Sequence, residues 1–201
     1  MLVVGDSYCD HIDMGFACWP ELVARDALGC SMLNVARGGS EARHARAQLE
    51  RAHAFLATRQ PAPPIRLLVV HTGGNDVVHS LPFAFPLLVV DLVRLALIRA
   101  GVLARLERPP SSFSFVGLTS RRIARDTRAL LEDARARGHR RILLSTMPIS
   151  AAIPLARALV RIFALLCGAA FISATLADFE RLLKAEVAAE VAAFTAAHAD
   201  A

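Results

Sequence analysis

Ser7 closes the opening run VVGDSYCD, a short β-branched stretch that ends in a Gly-Asp-Ser turn. A serine hydroxyl that cleaves an ester needs a base to take its proton, a group that orients the base, and donors for the oxyanion. Three positions offer parts of that machinery. The backbone N–H of Ser7 can face a substrate carbonyl; Gly39, in NVARGGSEAR, lets the backbone approach closely and offers a second N–H; Asn75, in HTGGNDVV, can aim its side-chain amide at the same point. Each residue also has a plainer reading: Ser7 as a helix cap, Gly39 as a turn residue, and Asn75-Asp76 as the cap of the helix that follows. All three falling together at strand ends favours the chemical reading.

The elements that must position them alternate. MLVVGDS reads as a buried parallel strand feeding a loop. WPELVARDALG has Pro20 near a helix start and Gly29 past its end, SMLNVAR reads as a second strand, and GGSEARHARAQLERAHAFLATR as a helix capped by Ser40. After the PAPP loop, IRLLVVHTGGND repeats the opening plan, and RRILLSTMP follows an arginine-rich helix at about 118–137 as a further strand. The final stretch from ISATLADF onward reads as one long alanine-rich helix. Strands alternating with helices imply an α/β fold with a parallel sheet, whose ligands bind outside the carboxyl ends of the strands. Ser7, Gly39 and Asn75 fall at those ends.

GDS at 5–7, N-x-x-R-G-G-S at 34–40 and GGND at 73–76 resemble the first three blocks of the SGNH or GDSL hydrolases, an esterase and lipase family, in order, spacing and strand-end placement. The resemblance implies a flavodoxin-like three-layer α/β/α sandwich, no cofactor, Ser7 as nucleophile, and an oxyanion hole from the Ser7 N–H, Gly39 and Asn75. The fourth block of that family, a D-x-x-H that supplies the base and its orienting carboxylate, does not occur after residue 79, so C-terminal incompleteness is one expectation. The D-x-x-H at Asp76–His79 overlaps the third block and reads as chance adjacency. His71 is closer in register to the pocket and is expected to hydrogen-bond within its turn; His11 is uncommitted; His198 is a weak candidate base; His44, His53 and His139 read as surface residues.

A chain of 201 residues fits one domain, 1–201, with a core of its own. The formal charge of +5 comes almost wholly from arginine, with Lys184 the only lysine, and reads as solvated helix faces rather than a nucleic-acid site. Cys9, Cys18, Cys30 and Cys167 lack metal-ligand or CxxC spacing, so no metal is expected and buried free thiols are. No charged n-region precedes an apolar run, which makes cytoplasmic residence the expectation and secretion the alternative if an N-terminal segment has been lost. Two apolar segments, LPFAFPLLVVDLVRLALIRAGVLARL and IPLARALVRIFALLCGAAF, carry charges that a spanning helix tolerates poorly. They read as core helices, a lid on an apolar pocket, or an amphipathic segment in peripheral contact with a membrane. Three functions compete: hydrolysis of acyl or acetyl esters of a lipid, sugar or small molecule; ester or glycan binding without cleavage on the same scaffold; and an arginine-rich surface for acidic lipid or nucleic acid, which no aromatic platform supports. The oligomeric state is left open.

Overall fold

The computed structural model describes residues 1–6, 9–10, 18–61, 63–76, 79, 89–90, 93, 97, 101, 114–146 and 169–198. Within them the chain runs β1 (Leu2–Gly5), α1 (Trp19–Leu22, continuing as a π-helical turn over Val23–Ala27), β2 (Leu33–Asn34), a 3-10 turn (Ala42–His44) leading into α2 (Ala45–Ala57), β3 (Leu68–Thr72), α3 (Ser114–Ala136), β4 (Ile142–Thr146) and α4 (Ala169–Ala197). The strands form one parallel sheet in the order β2-β1-β3-β4. The sequence reading of an α/β fold with a parallel sheet holds.

The register explains the layers. Leu2, Leu68 and Ile142 are partners, as are Val4, Val70 and Leu144, and their side chains meet α2 and α3 on one face of the sheet. α2 presents Ala45, Gln48, Leu49 and Ala52 to that face at the i, i+3, i+4, i+7 spacing of an amphipathic helix. α3 contributes Leu130 and Ala134 one turn apart. On the opposite face Val3 and Val69 pack with Cys9, Ala36, Met32 and Trp19. Elements on both faces of a parallel sheet give the three layers of a doubly wound fold.

β2 is shorter than SMLNVAR suggests. The side chain of Asn34 donates to the carbonyl of Cys9 at 2.5 Å and accepts from the N–H of Ala36 at 3.0 Å, while the backbone beyond it still follows β1, with the Val35 and Arg37 N–H groups donating to the Val3 and Gly5 carbonyls at 3.0 and 3.2 Å. α1 continues beyond Leu22 as a π turn, with the Leu28 N–H reaching back to the Val23 carbonyl.

The chain divides into two compact units, one of Met1–Asp76, Arg125–Met147 and Glu190–Ala201, the other of Val77–Ala124 and Pro148–Ala189. The sheet and both core faces belong to the first. In the second, the described buried positions include Ile123 and Ala124 on α3 and Leu183 and Val187 on α4. The two apolar segments lie almost entirely outside the described residues; of the first, Val89, Val90, Val93 and Leu97 are exposed. No helix among the described residues is long and apolar enough to cross a membrane.

Candidate active site

The first strand delivers Gly5 and Asp6 to the carboxyl end of the sheet, where β1 lies between β2 and β3. Gly5 has φ +155°, and a Cβ there would stand 2.3 Å from the carbonyl oxygen of His71, so only glycine lets β1 and β3 close at this point. Ser7, which follows, lies outside the described residues, as does His11.

The second block is folded against the first. The Arg37 N–H donates to the Gly5 carbonyl at 3.2 Å, and the Gly38 N–H donates to Asp10 Oδ2 at 2.7 Å. The Ser40 N–H then closes a turn onto the Arg37 carbonyl at 3.1 Å. Gly39 occupies the third position of that turn at φ +75°, which glycine adopts without steric cost, and its backbone is exposed.

The third block reaches the second directly. Asn75 Nδ2 donates to the Ser40 carbonyl at 3.1 Å, one residue from Gly39. Asp76 is fully buried and its Oδ2 accepts the Ala42 N–H at 2.8 Å, at the start of the turn that leads into α2. That amide lies at the N-terminal end of the turn leading into α2, where backbone N–H groups have no partner within the helix and the peptide dipoles favour a carboxylate. Thus Asn75 is brought to the residue next to Gly39, while Ser7 lies outside the described residues.

Gln48 ties the blocks from beneath. It is wholly buried on the core face of α2, accepts the Gly5 N–H at 2.7 Å, and donates to the Gly5 carbonyl and Ser40 Oγ, each at 2.9 Å. Ser40 is therefore not the helix cap that its position suggests. Glu41 caps instead, in a reciprocal box in which its N–H donates to His44 Nδ1 at 3.1 Å.

Asp6, His71 and Ser145 form a second polar group at the strand ends. Gly5, His71 and Ser145 are register partners on β1, β3 and β4. His71 Nδ1 lies 3.1 Å from Ser145 Oγ on the neighbouring strand, and its Nε2 lies 3.8 Å from Asp6 Oδ1. Trp19 meets the imidazole edge-on at 6.2 Å between ring centres. Burial lowers the His71 pKa, which keeps the ring neutral at neutral pH. Burial first, then the negative charge of Asp6, pushes the Cys9 thiol up to about 12.

The remaining histidines divide. His44 is exposed, as is His79. His53 and His139, expected at the surface, instead face each other with Nε2 atoms 2.8 Å apart, and His139 is buried. Desolvation lowers both pKa values, the charge of Arg137 adding to it for His53 and that of His53 for His139. His198 Nε2 is 2.8 Å from Glu132 Oε2. Cys9 and Cys18 are buried as expected, Cys30 is exposed, and Cys167 lies outside the described residues. Among the described residues no three His, Cys, Asp or Glu side chains gather as metal ligands. No protein-family model matches the chain, and no curated protein matches it.

Proposed function

We propose that the chain is a serine ester hydrolase of the SGNH type, acting on acyl or acetyl esters of a lipid, carbohydrate or small molecule. The observation that carries this reading is the bond from Asn75 Nδ2 to the Ser40 carbonyl at 3.1 Å. It draws the third block onto the second beside the exposed Gly39 turn, at the end of the strand that Ser7 follows. In this reading Ser7 Oγ attacks the ester carbonyl, and the N–H groups of Ser7 and Gly39 with the amide of Asn75 take the oxyanion. An acyl-enzyme forms, the alcohol departs, and water releases the acid.

The alternative is a ligand-binding protein on the same scaffold, favoured by the lack of a D-x-x-H after residue 79. Loss of a triad member still leaves the rate that binding and the oxyanion hole supply, roughly 10³–10⁴-fold over water. Hydrolysis of p-nitrophenyl acetate and butyrate, with Ser7→Ala as control, separates the two. Turnover that disappears in Ser7→Ala supports the hydrolase. Tight binding of a non-hydrolysable ester analogue, with no turnover in either protein, leaves the binding protein.

A further inference from the structure

We infer that Ser145 is a second activated serine, driven by His71 with Asp6 behind it, independent of any role of Ser7. The three residues come from adjacent strands, and the register alone brings two of them into line: His71 pairs with Ser145 across β3 and β4, while Asp6 follows Gly5, the His71 partner on β1. His71 Nδ1 lies within hydrogen-bond distance of Ser145 Oγ at 3.1 Å, whereas Asp6 Oδ1 stands 3.8 Å from His71 Nε2, too far for a hydrogen bond and able to act on the ring only through its charge. Asp6 and His71 are buried, whereas Ser145 is half-buried at the chain of contacts' outer end.

The direction inferred for the proton rests on the charge of Asp6. A neutral imidazole carries one N–H, and a buried carboxylate favours it on the facing nitrogen, Nε2. Nδ1 is then the acceptor for the Ser145 hydroxyl. Trp19 lies edge-on to the ring, with 6.2 Å between ring centres. The ring nitrogens are exchanged relative to the usual serine triad, but the roles of nucleophile, base and orienting carboxylate are the same.

The reaction class is acyl transfer from an ester. Ser145 Oγ bonds to the acyl carbon as its proton passes to His71 Nδ1, and the imidazolium that forms is stabilised by Asp6. The C–O bond to the alcohol breaks, and the alkoxide leaves with that proton. Water then attacks the acyl-serine, gives a proton to Nδ1, and releases the acid as Oγ recovers its hydrogen. With a fluorophosphonate the balance is the same: an O–P bond forms, P–F breaks, fluoride leaves and the proton stays on His71.

The test is site mapping in the full chain. The protein is treated with a fluorophosphonate, cut with trypsin, and the modified serine is located by fragment-ion mass spectrometry. Ser7 and Ser145 fall in different tryptic peptides, 1–25 and 142–157. Label on Ser145 is expected, slowed by about 10²-fold or more in His71→Gln, the contribution of a positioned general base. Label on Ser7 alone overturns this inference while leaving the Ser7 hydrolase standing. Label on Ser145 alone supports it and removes the Ser7 reading, and label on neither overturns both. Because His71→Gln can unfold the sheet, the tautomer is also read in the unmutated protein by ¹⁵N NMR of the imidazole. A proton on Nε2 is expected, and a proton on Nδ1 overturns the relay.

Discussion

Replacing Gln48 with leucine tests whether the first two blocks are held by the buried amide. The volume is nearly kept, so the cost is polar. The Gly5 N–H loses its acceptor at 2.7 Å and is left buried without one, which costs about 1–3 kcal/mol. The Gly5 carbonyl loses the Gln48 donor but keeps the Arg37 N–H at 3.2 Å, and Ser40 Oγ loses one bond, so each adds about 0.5–1 kcal/mol. Gln48→Leu should therefore destabilise the sheet unit by about 2–5 kcal/mol, a fall of about 1–2.5 M in the urea midpoint at a slope of about 2 kcal/mol/M. Trp19 is the only tryptophan and packs on this sheet, so its fluorescence reports the right unit. Gln48→Glu sharpens the test. Facing the Gly5 carbonyl in a buried site, the introduced carboxyl is held protonated, its pKa raised above the unfolded value of about 4.3. A raised carboxyl pKa gives stability that is present below the unfolded value and lost as pH rises through the folded one. The deficit of Gln48→Glu against the unmutated protein should thus be small at pH 4 and grow toward pH 8. A Gln48→Leu midpoint equal to that of the unmutated protein, or a pH-independent Gln48→Glu deficit, would refute the reasoning.

Three further outcomes are expected. The His53–His139 pair has folded pKa values lowered by burial, so its contribution to stability is present above pH 6.5 and is lost as pH falls below it; urea midpoints at pH 7.5 and 5.5 should separate less in His139→Gln than in the unmutated protein. If Asn75 donates to the oxyanion, Asn75→Ala lowers kcat on p-nitrophenyl butyrate by about 10²–10³-fold, and an unchanged kcat removes it from that role. Cys9, with its pKa near 12, should stay unmodified by iodoacetamide at pH 8 until the protein unfolds, whereas exposed Cys30 reacts in the native state; peptide mapping distinguishes them.

The strands and their polar ends were legible because apolar runs of strand length stop at Gly-Asp-Ser and Gly-Gly-Asn-Asp, and a parallel sheet puts such ends on one side. What could not be read is pairing across long separations. His71 meets Ser145 over 74 residues, and His53 meets His139 over 86, contacts set by strand order and helix packing rather than by any local pattern. Ser40 misled for a related reason: a serine before a helix is the usual cap, but here its oxygen is taken by Gln48, and Glu41 with His44 closes the box one residue later. Gln48 did leave a signal. It is the lone polar residue on the Ala45, Leu49, Ala52 face of α2, and a polar side chain on a core stripe must find partners, here on a strand 43 residues earlier.

That placement links the two serine readings. Gly5 is held by Gln48 on both its N–H and its carbonyl, and Asp6 continues from it toward His71. Asn75 is held on the Ser40 carbonyl, while Ser40 Oγ is held by the same Gln48. The amide therefore underlies both the block that carries Asp6 and Ser7 and the block that carries Gly39. Loosening it shifts Asp6 against His71 and Gly39 against the turn of β1 together, whereas Asn75→Ala touches only the second. Gln48→Leu at a urea concentration where it remains folded should thus slow labelling at whichever serine reacts, and Asn75→Ala should slow it only at Ser7. A Ser145 label rate insensitive to Gln48→Leu would mean that Asp6 is set by β3 alone, through the bond of its N–H to the His71 carbonyl at 3.2 Å.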